Sequence, residues 1–165
     1  MSTYCQTKWK PTTYSITFDI KHVAGANAKG KFSSLLADIL IDPDNPDNAT
    51  ITATIDAATF YTGNNSRDKT LKNKEYFDVS KFPLISIKSI TIKKINGDNY
   101  EGIFRLTIKS VTKDIPINFT MVRSGKHGVF KTKFNINRLD YGLGGKSWML
   151  SNDATVSVFV NTINE

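Results

Sequence analysis

Tyr14-Ser15-Ile16-Thr17-Phe18-Asp19-Ile20-Lys21 alternates an apolar or aromatic residue with a polar one at every step. Successive side chains of a β-strand point to opposite faces, so the stretch offers a dry face (Tyr14, Ile16, Phe18, Ile20) and a wet one (Ser15, Thr17, Asp19, Lys21). The same period returns in Ile51-Ala53-Ile55-Ala57, Tyr100-Gly102-Phe104-Leu106-Ile108, Ile115-Ile117-Phe119-Met121, Phe130-Thr132-Phe134-Ile136 and Ala154-Val156-Val158-Val160. Two further runs carry it less cleanly: Phe32 to Ile41 is blurred at Leu35 and Leu36, and Ile85 to Ile95 changes phase at Ser89-Ile90. A change of phase inside a strand is what a β-bulge produces, and bulges are frequent where a sheet curls. Between the runs lie turn residues, as in Asp42-Pro43-Asp44-Asn45-Pro46-Asp47, Asn96-Gly97-Asp98 and Ser124-Gly125-Lys126-His127-Gly128. Such short connections pair neighbouring strands antiparallel, so an up-and-down meander of eight strands is expected. Closing it into a barrel removes the edges and dries one face of every strand together. An open two-sheet sandwich satisfies the same alternation.

The 165 residues suit a single domain, here expected to span the whole chain with its core at about 12–163. No run of 18 or more uncharged apolar residues is present, so no transmembrane helix is expected. Lys8 and Lys10 interrupt the stretch after Met1, which does not read as a leader. The single Cys5 cannot form an internal disulfide and reads as a bystander. A net charge of +7 and a pI near 9.4 invite a nucleic-acid reading, but the lysines fall at the polar phase of strands (Lys21, Lys88, Lys109, Lys131, Lys133) or in turns. There is no Arg-rich helix, paired aromatic platform or zinc-finger spacing, so nucleic acid is not an expected partner. Attraction to an anionic membrane surface or head group is the more economical use of the excess, and solubility alone also accounts for it.

The dry face decides function. An eight-stranded barrel is just wide enough either to be filled by its own side chains or to hold one small or elongated guest. Small candidates (Ala53, Val156, Val158) mix with large ones (Phe18, Phe104, Phe119, Phe130, Phe134) and with Ile20, Phe32, Ile55 and Leu106. This mixture fits complementary packing and an apolar tunnel equally well. Between Thr59 and Phe82 the rhythm stops, and the segment predicts a short helix capped by Asn65 or Ser66, with Leu71, Glu75, Tyr76 and Phe77 at helical spacing and Asp78 and Pro83 ending it. An insert of this kind closes one end of a barrel or forms the rim of its mouth.

The insert Thr62-Gly63-Asn64-Asn65-Ser66-Arg67-Asp68-Lys69-Thr70-Leu71 through Tyr76-Phe77-Asp78-Val79-Ser80-Lys81-Phe82-Pro83 resembles the signature of the YceI family, bacterial lipocalin-like proteins that bind polyisoprenoids and related long-chain lipids. Phe18-Asp19-Ile20-Lys21-His22 with Gly30-Lys31-Phe32 is similar to the family's first hairpin, Leu106 to Lys113 to a later strand and turn, Asn135-Ile136-Asn137-Arg138-Leu139-Asp140-Tyr141-Gly142 to its late Asn-Arg-x-Asp-aromatic-Gly segment, and Ser151 to Val156 to its last strand. The chain departs at Thr70, where histidine is common, and at Ser110, where glycine is usual. The resemblance implies an all-β, eight-stranded antiparallel lipocalin-like β-barrel with a lipid tail threaded through its interior, and a periplasmic or secreted location, with the cytoplasm as the alternative. The twelve alternating residues named above become the expected ligand wall. Arg67, Asp68, Tyr76, Arg138, Tyr141 and Trp148 become candidates for the rim or for a head group, while ion-pairing and capping roles explain Arg67, Asp68, Arg138 and Asp140 equally well. Tyr141 to Trp148 lacks the spacing of a phosphate loop and reads as a lid, a rim or a hairpin connection whose indole packs on the barrel end.

No catalytic or metal constellation is announced: His22 and His127 stand far apart, and no nucleophile elbow follows a strand. The expected role is therefore non-enzymatic, with no cofactor beyond a bound lipid or isoprenoid. Peripheral membrane contact and a homodimer are additional expectations. The alternative is a structural or interaction module with a packed barrel and a basic surface.

Overall fold

Ten strands, one α-helix and three short 3-10 turns make up the computed structural model, which describes residues 6–23, 25 and 27–165. Cys5 lies outside the described residues. The strands are β1 (Lys8–His22), β2 (Ala28–Phe32), β3 (Leu36–Leu40), β4 (Thr50–Asp56), β5 (Phe60–Tyr61), β6 (Leu84–Asn96), β7 (Asn99–Ile108), β8 (Val111–Ser124), β9 (His127–Asn137) and β10 (Leu150–Asn164). All pairings are antiparallel, in the order β10-β9-β8-β7-β6-β4-β3-β1, and β1 pairs again with β10 to close the ring. The closed barrel excludes the open sandwich.

Ten strands reduce to the eight periodic runs because two of the runs are broken in the middle. Across β1, Trp9 faces Ile39 of β3, and seven residues further along each strand Ile16 faces Phe32 of β2. Thus β2 and β3 are one strand in one register, parted over residues 33–35. Likewise β4 continues into β5 through a 3-10 turn at Ala57–Thr59. Where the ladder opens, side chains replace backbone partners: the Tyr14 hydroxyl donates to the Ser33 carbonyl (3.0 Å), Ser34 Oγ accepts from Asp56 N (2.9 Å) and Thr59 Oγ1 accepts from Ser33 N (3.3 Å). Tyr14, expected on the dry face, is instead exposed across this gap.

The breaks change which residues point inward. Trp9 faces in at one end of β1 and Ile16, Phe18 and Ile20 at the other, the phase changing at a register shift between Pro11 and Thr13. Phe32 faces in on β2, whereas Leu35, Ala37 and Ile39 do so on the continuation, which explains the blur at Leu35-Leu36. On β6 the register shifts between Ser89 and Thr91, leaving Ile90 exposed between buried Ser89 and Ile92. This is the bulge expected from the sequence. Ser89 Oγ also accepts from Ile51 N (2.9 Å), so the bulge supplies a bond to the neighbouring strand.

Helix α1 (Asn65–Leu71) sits in the insert between β5 and β6. Its cap is Asn64, whose side chain accepts from Arg67 N (3.0 Å), not Asn65 or Ser66. The helix is shorter than expected: Phe77 N bonds back to Leu71 O and Val79 N to Lys72 O, so Tyr76 and Phe77 are presented by turns.

Candidate functional site

One end of the barrel is plugged. The Trp9 indole, 1% exposed, donates to the Ile41 carbonyl (2.8 Å) and lies over Gly128, where a Cβ would approach it to 2.9 Å. Tyr100 stacks on Phe119 with ring centroids 5.2 Å apart, and Ile41 and Met121 complete a buried layer. Above this plug the inward faces of the strands do not meet. They enclose a cavity of about 480 Å³, within the ~300–1,000 Å³ usual for small-molecule sites.

Phe18, Ile20, Phe32, Ala53, Ile55, Phe104, Leu106, Phe119, Phe130, Phe134, Val156 and Val158 all line this cavity. Phe18, Ile20, Ala53, Ile55, Phe134, Val156 and Val158 are only half-buried although they point inward, because part of each side chain borders the cavity. Side chains fill the plugged end, and a second buried cluster around Leu106, Ile136, Leu143 and Ala154 packs along the wall, but neither closes the lumen that both border. The wall is almost wholly apolar, so its chemistry is burial of hydrocarbon from water.

The mouth is marked by residues that line the cavity and also meet solvent: exposed Arg67 and Thr70 on α1, with half-buried His22, Thr62, Tyr76 and Leu150 around them. Four phenylalanines brace the insert there. Phe18 stacks on Phe60 (4.8 Å), Phe32 meets Phe77 edge-on (5.8 Å), and Phe60 contacts Phe77 (5.5 Å). Phe60 and Phe77 were not among the ligand-wall candidates. The parity change at residues 57–59 hides Phe60 from a period-of-two count, and Phe77 belongs to a turn.

The six rim candidates divide. Arg67 and Tyr76 line the mouth. Asp68 does not; its Oδ1 accepts from Thr62 N (2.8 Å) and Thr62 Oγ1 (2.6 Å) and pins α1 to the end of β5. Arg138 lines the cavity but is 2% exposed and acts as a clamp: Nε donates to Ser151 O (2.9 Å) and Nη1 to Leu143 O (2.9 Å) and Gly145 O (3.0 Å). It thereby fastens the loop before β10. Tyr141 is buried beneath that loop rather than on the rim, and burial, reinforced by Asp140, raises its phenol above the ordinary value. Trp148 is 81% exposed, so its indole does not pack on the barrel end, and it does not line this cavity. Asp140 lies 3.7 Å from Lys113 on the exterior. Among the described residues, no group of three or more His, Cys, Asp or Glu is placed to hold a metal ion.

A closed antiparallel barrel, plugged below and opening above into an apolar lumen beneath a helical insert, is a lipocalin-like architecture. The YceI-like domain model matches residues 8–162, and the chain belongs to the YceI-like family. A UPF0312 protein of Yersinia pestis (strain Pestoides F) is 31% identical over 124 residues, which are 74% of this chain and 64% of that protein's length. The chain thus matches somewhat under two thirds of such relatives. Among solved structures, Campylobacter jejuni YceI protein is 27% identical, with a TM-score of 0.79 over 88% of this chain and 89% of that one. BcnA of Burkholderia cenocepacia, at 20% identity, shares the fold with a TM-score of 0.84 over 90% and 95% of the two chains. A polyisoprenoid binding domain from Saccharophagus degradans, at 12% identity, shares it with a TM-score of 0.73 over 98% and 100%.

Proposed function

We propose that this protein binds and carries, or sequesters, a long-chain hydrophobic ligand such as a polyisoprenoid or related lipid, with the tail inside the barrel. The single observation that carries this reading is the apolar cavity of about 480 Å³, open at the α1 end and closed at the Trp9 end. A blind tunnel orients a chain-like guest: the tail enters and the polar end stays near Arg67, Thr70 and Tyr76. Each buried CH₂ contributes roughly 0.8 kcal/mol before ordering costs, so preference among tail lengths is gradual until the tail meets the plug. The action is desolvation without bond chemistry. An exported location belongs to the same proposal, carried by the family resemblance.

Native mass spectrometry of gently purified protein, followed by solvent extraction, tests the reading. A discrete lipid at near one-to-one stoichiometry supports it and identifies the ligand class. A bare mass that stays bare after incubation with polyisoprenoids and fatty acids overturns it.

A further inference from the structure

Beyond the cavity, one feature of the mouth has no role in enclosing a ligand. Val23, 75% exposed, and Trp148, 81% exposed, project from the two loops that continue β1 and β10 past the barrel. Val23 N donates to Met149 O (2.8 Å), so the two loops are fastened side by side. Their neighbours in sequence, His22 and Leu150, line the cavity. The tip is therefore an apolar extension of the mouth itself.

Both ends of the barrel carry mixed charge. At the plugged end, Asp42, Asp44, Asp47 and Asp98 stand among the cations; Arg123 reaches Asp44 (3.5 Å) and Lys94 Nζ donates to Pro43 O (2.9 Å). At the mouth, Lys21, Arg67, Lys69, Lys74 and Lys146 are exposed, with Glu75, Asp140 and Asp153 exposed among them. The loop carrying Trp148 and the insert form one surface, since Gly144 N donates to Glu75 O (2.8 Å) and Lys109 Nζ bridges Lys74 O (3.2 Å) and Gly142 O (2.9 Å). An indole and a valine with exposed Lys146 and Lys21 two residues away match the interface of an anionic bilayer, where Trp settles at head-group depth and basic residues meet acidic lipids.

We infer that the barrel docks mouth-first on an anionic lipid bilayer, with Trp148 and Val23 inserted at the interface and the surrounding lysines on the head groups. The surface goes beyond the ligand-carrying reading, and its test needs no bound ligand. The chain provides its own probe, because Trp9 is buried at the far end of β1, about 40 Å away along the strand, and only Trp148 is exposed.

The protein is mixed with vesicles of phosphatidylcholine alone or with phosphatidylglycerol, their acyl chains brominated to quench tryptophan. The expected result is quenching and a blue shift of the Trp148 emission with phosphatidylglycerol only, weakening as salt rises. In co-sedimentation, Trp148→Ser with Val23→Ser is expected to lose association, and Lys74→Gln with Lys146→Gln to weaken it at least ~10-fold, all with unchanged circular dichroism. Absence of phosphatidylglycerol-dependent quenching overturns the inference, as does association that survives the Trp148 and Val23 substitutions.

Discussion

Tyr141 carries a buried hydroxyl with no hydrogen-bond partner among the described residues. Removing such a group relieves a desolvation penalty without breaking a bond, so Tyr141→Phe is expected to be neutral or to stabilise by about 1 kcal/mol, read as a denaturant midpoint. Trp9 is the opposite case. Trp9→Ala empties the plug and leaves the Ile41 carbonyl unpaired, for an expected loss of about 3–5 kcal/mol. Val156 faces the cavity rather than a packed neighbour. Val156→Phe is accordingly expected to retain the fold while lowering lipid uptake several-fold in a fluorescent fatty-acid titration; unchanged uptake would sink the proposed tail site. Residues on strands were legible at this scale because period-two alternation carries from sequence to side-chain direction, and all twelve wall candidates do line the cavity. Asp68, Tyr141 and Trp148 lie off the strands, where sequence has no comparable ruler. Their places depend on which loop they fasten or leave free.

At the scale of elements, α1 is seven residues long and too short to be stable alone, so its position depends on Asp68 and on the packing of the insert's Phe77 against Phe32 and Phe60. Asp68→Ala leaves Thr62 N–H and its hydroxyl without their partner, and an expected cost of about 1–3 kcal/mol should appear chiefly as faster amide exchange in residues 62–79. The eight strand segments were readable from alternation, and so was the bulge at Ser89-Ile90. The blur at Leu35-Leu36 was visible without its meaning: a strand that parts and resumes with inverted phase. What holds the parted strand is Tyr14, Ser34 and Thr59, and bonds from side chains to backbone groups so distant in sequence leave no periodic trace. The expected helix is longer than the observed one for a related reason, since Tyr76 and Phe77 match helical spacing while turn bonds to Asn73 and Leu71 hold them.

For the whole molecule, pH acts from both sides. Burial raises the phenols of Tyr100 and Tyr141 above their ordinary 10.0, so their contribution is full below that value and is lost as pH rises through the higher folded values. The cross-strand Arg105–Asp114 pair (2.9 Å) lowers the Asp114 carboxyl below 3.8, so its contribution is present above that value and is lost as pH falls through the lower folded one. Both partners are exposed, and the acid loss is correspondingly small. A plot of Tm against pH should therefore be flat between these limits and fall more steeply on the alkaline side, with Tyr141→Phe flattening part of that fall. The closure of β1 on β10 also determines when folding can finish. Trp9 faces Asn164, and Glu165 N donates to Lys8 O (3.1 Å), so the first strand finds this neighbour only after the last has been synthesised. Until then the nascent chain holds an unpaired amphipathic edge, the condition that favours slow maturation and chaperone capture. Joining the two ends and reopening the chain at the Asn96-Gly97-Asp98 hairpin would make that pairing local but leave β6 and β7 as the terminal strands, so the wait for closure should move to the β6–β7 seam rather than disappear.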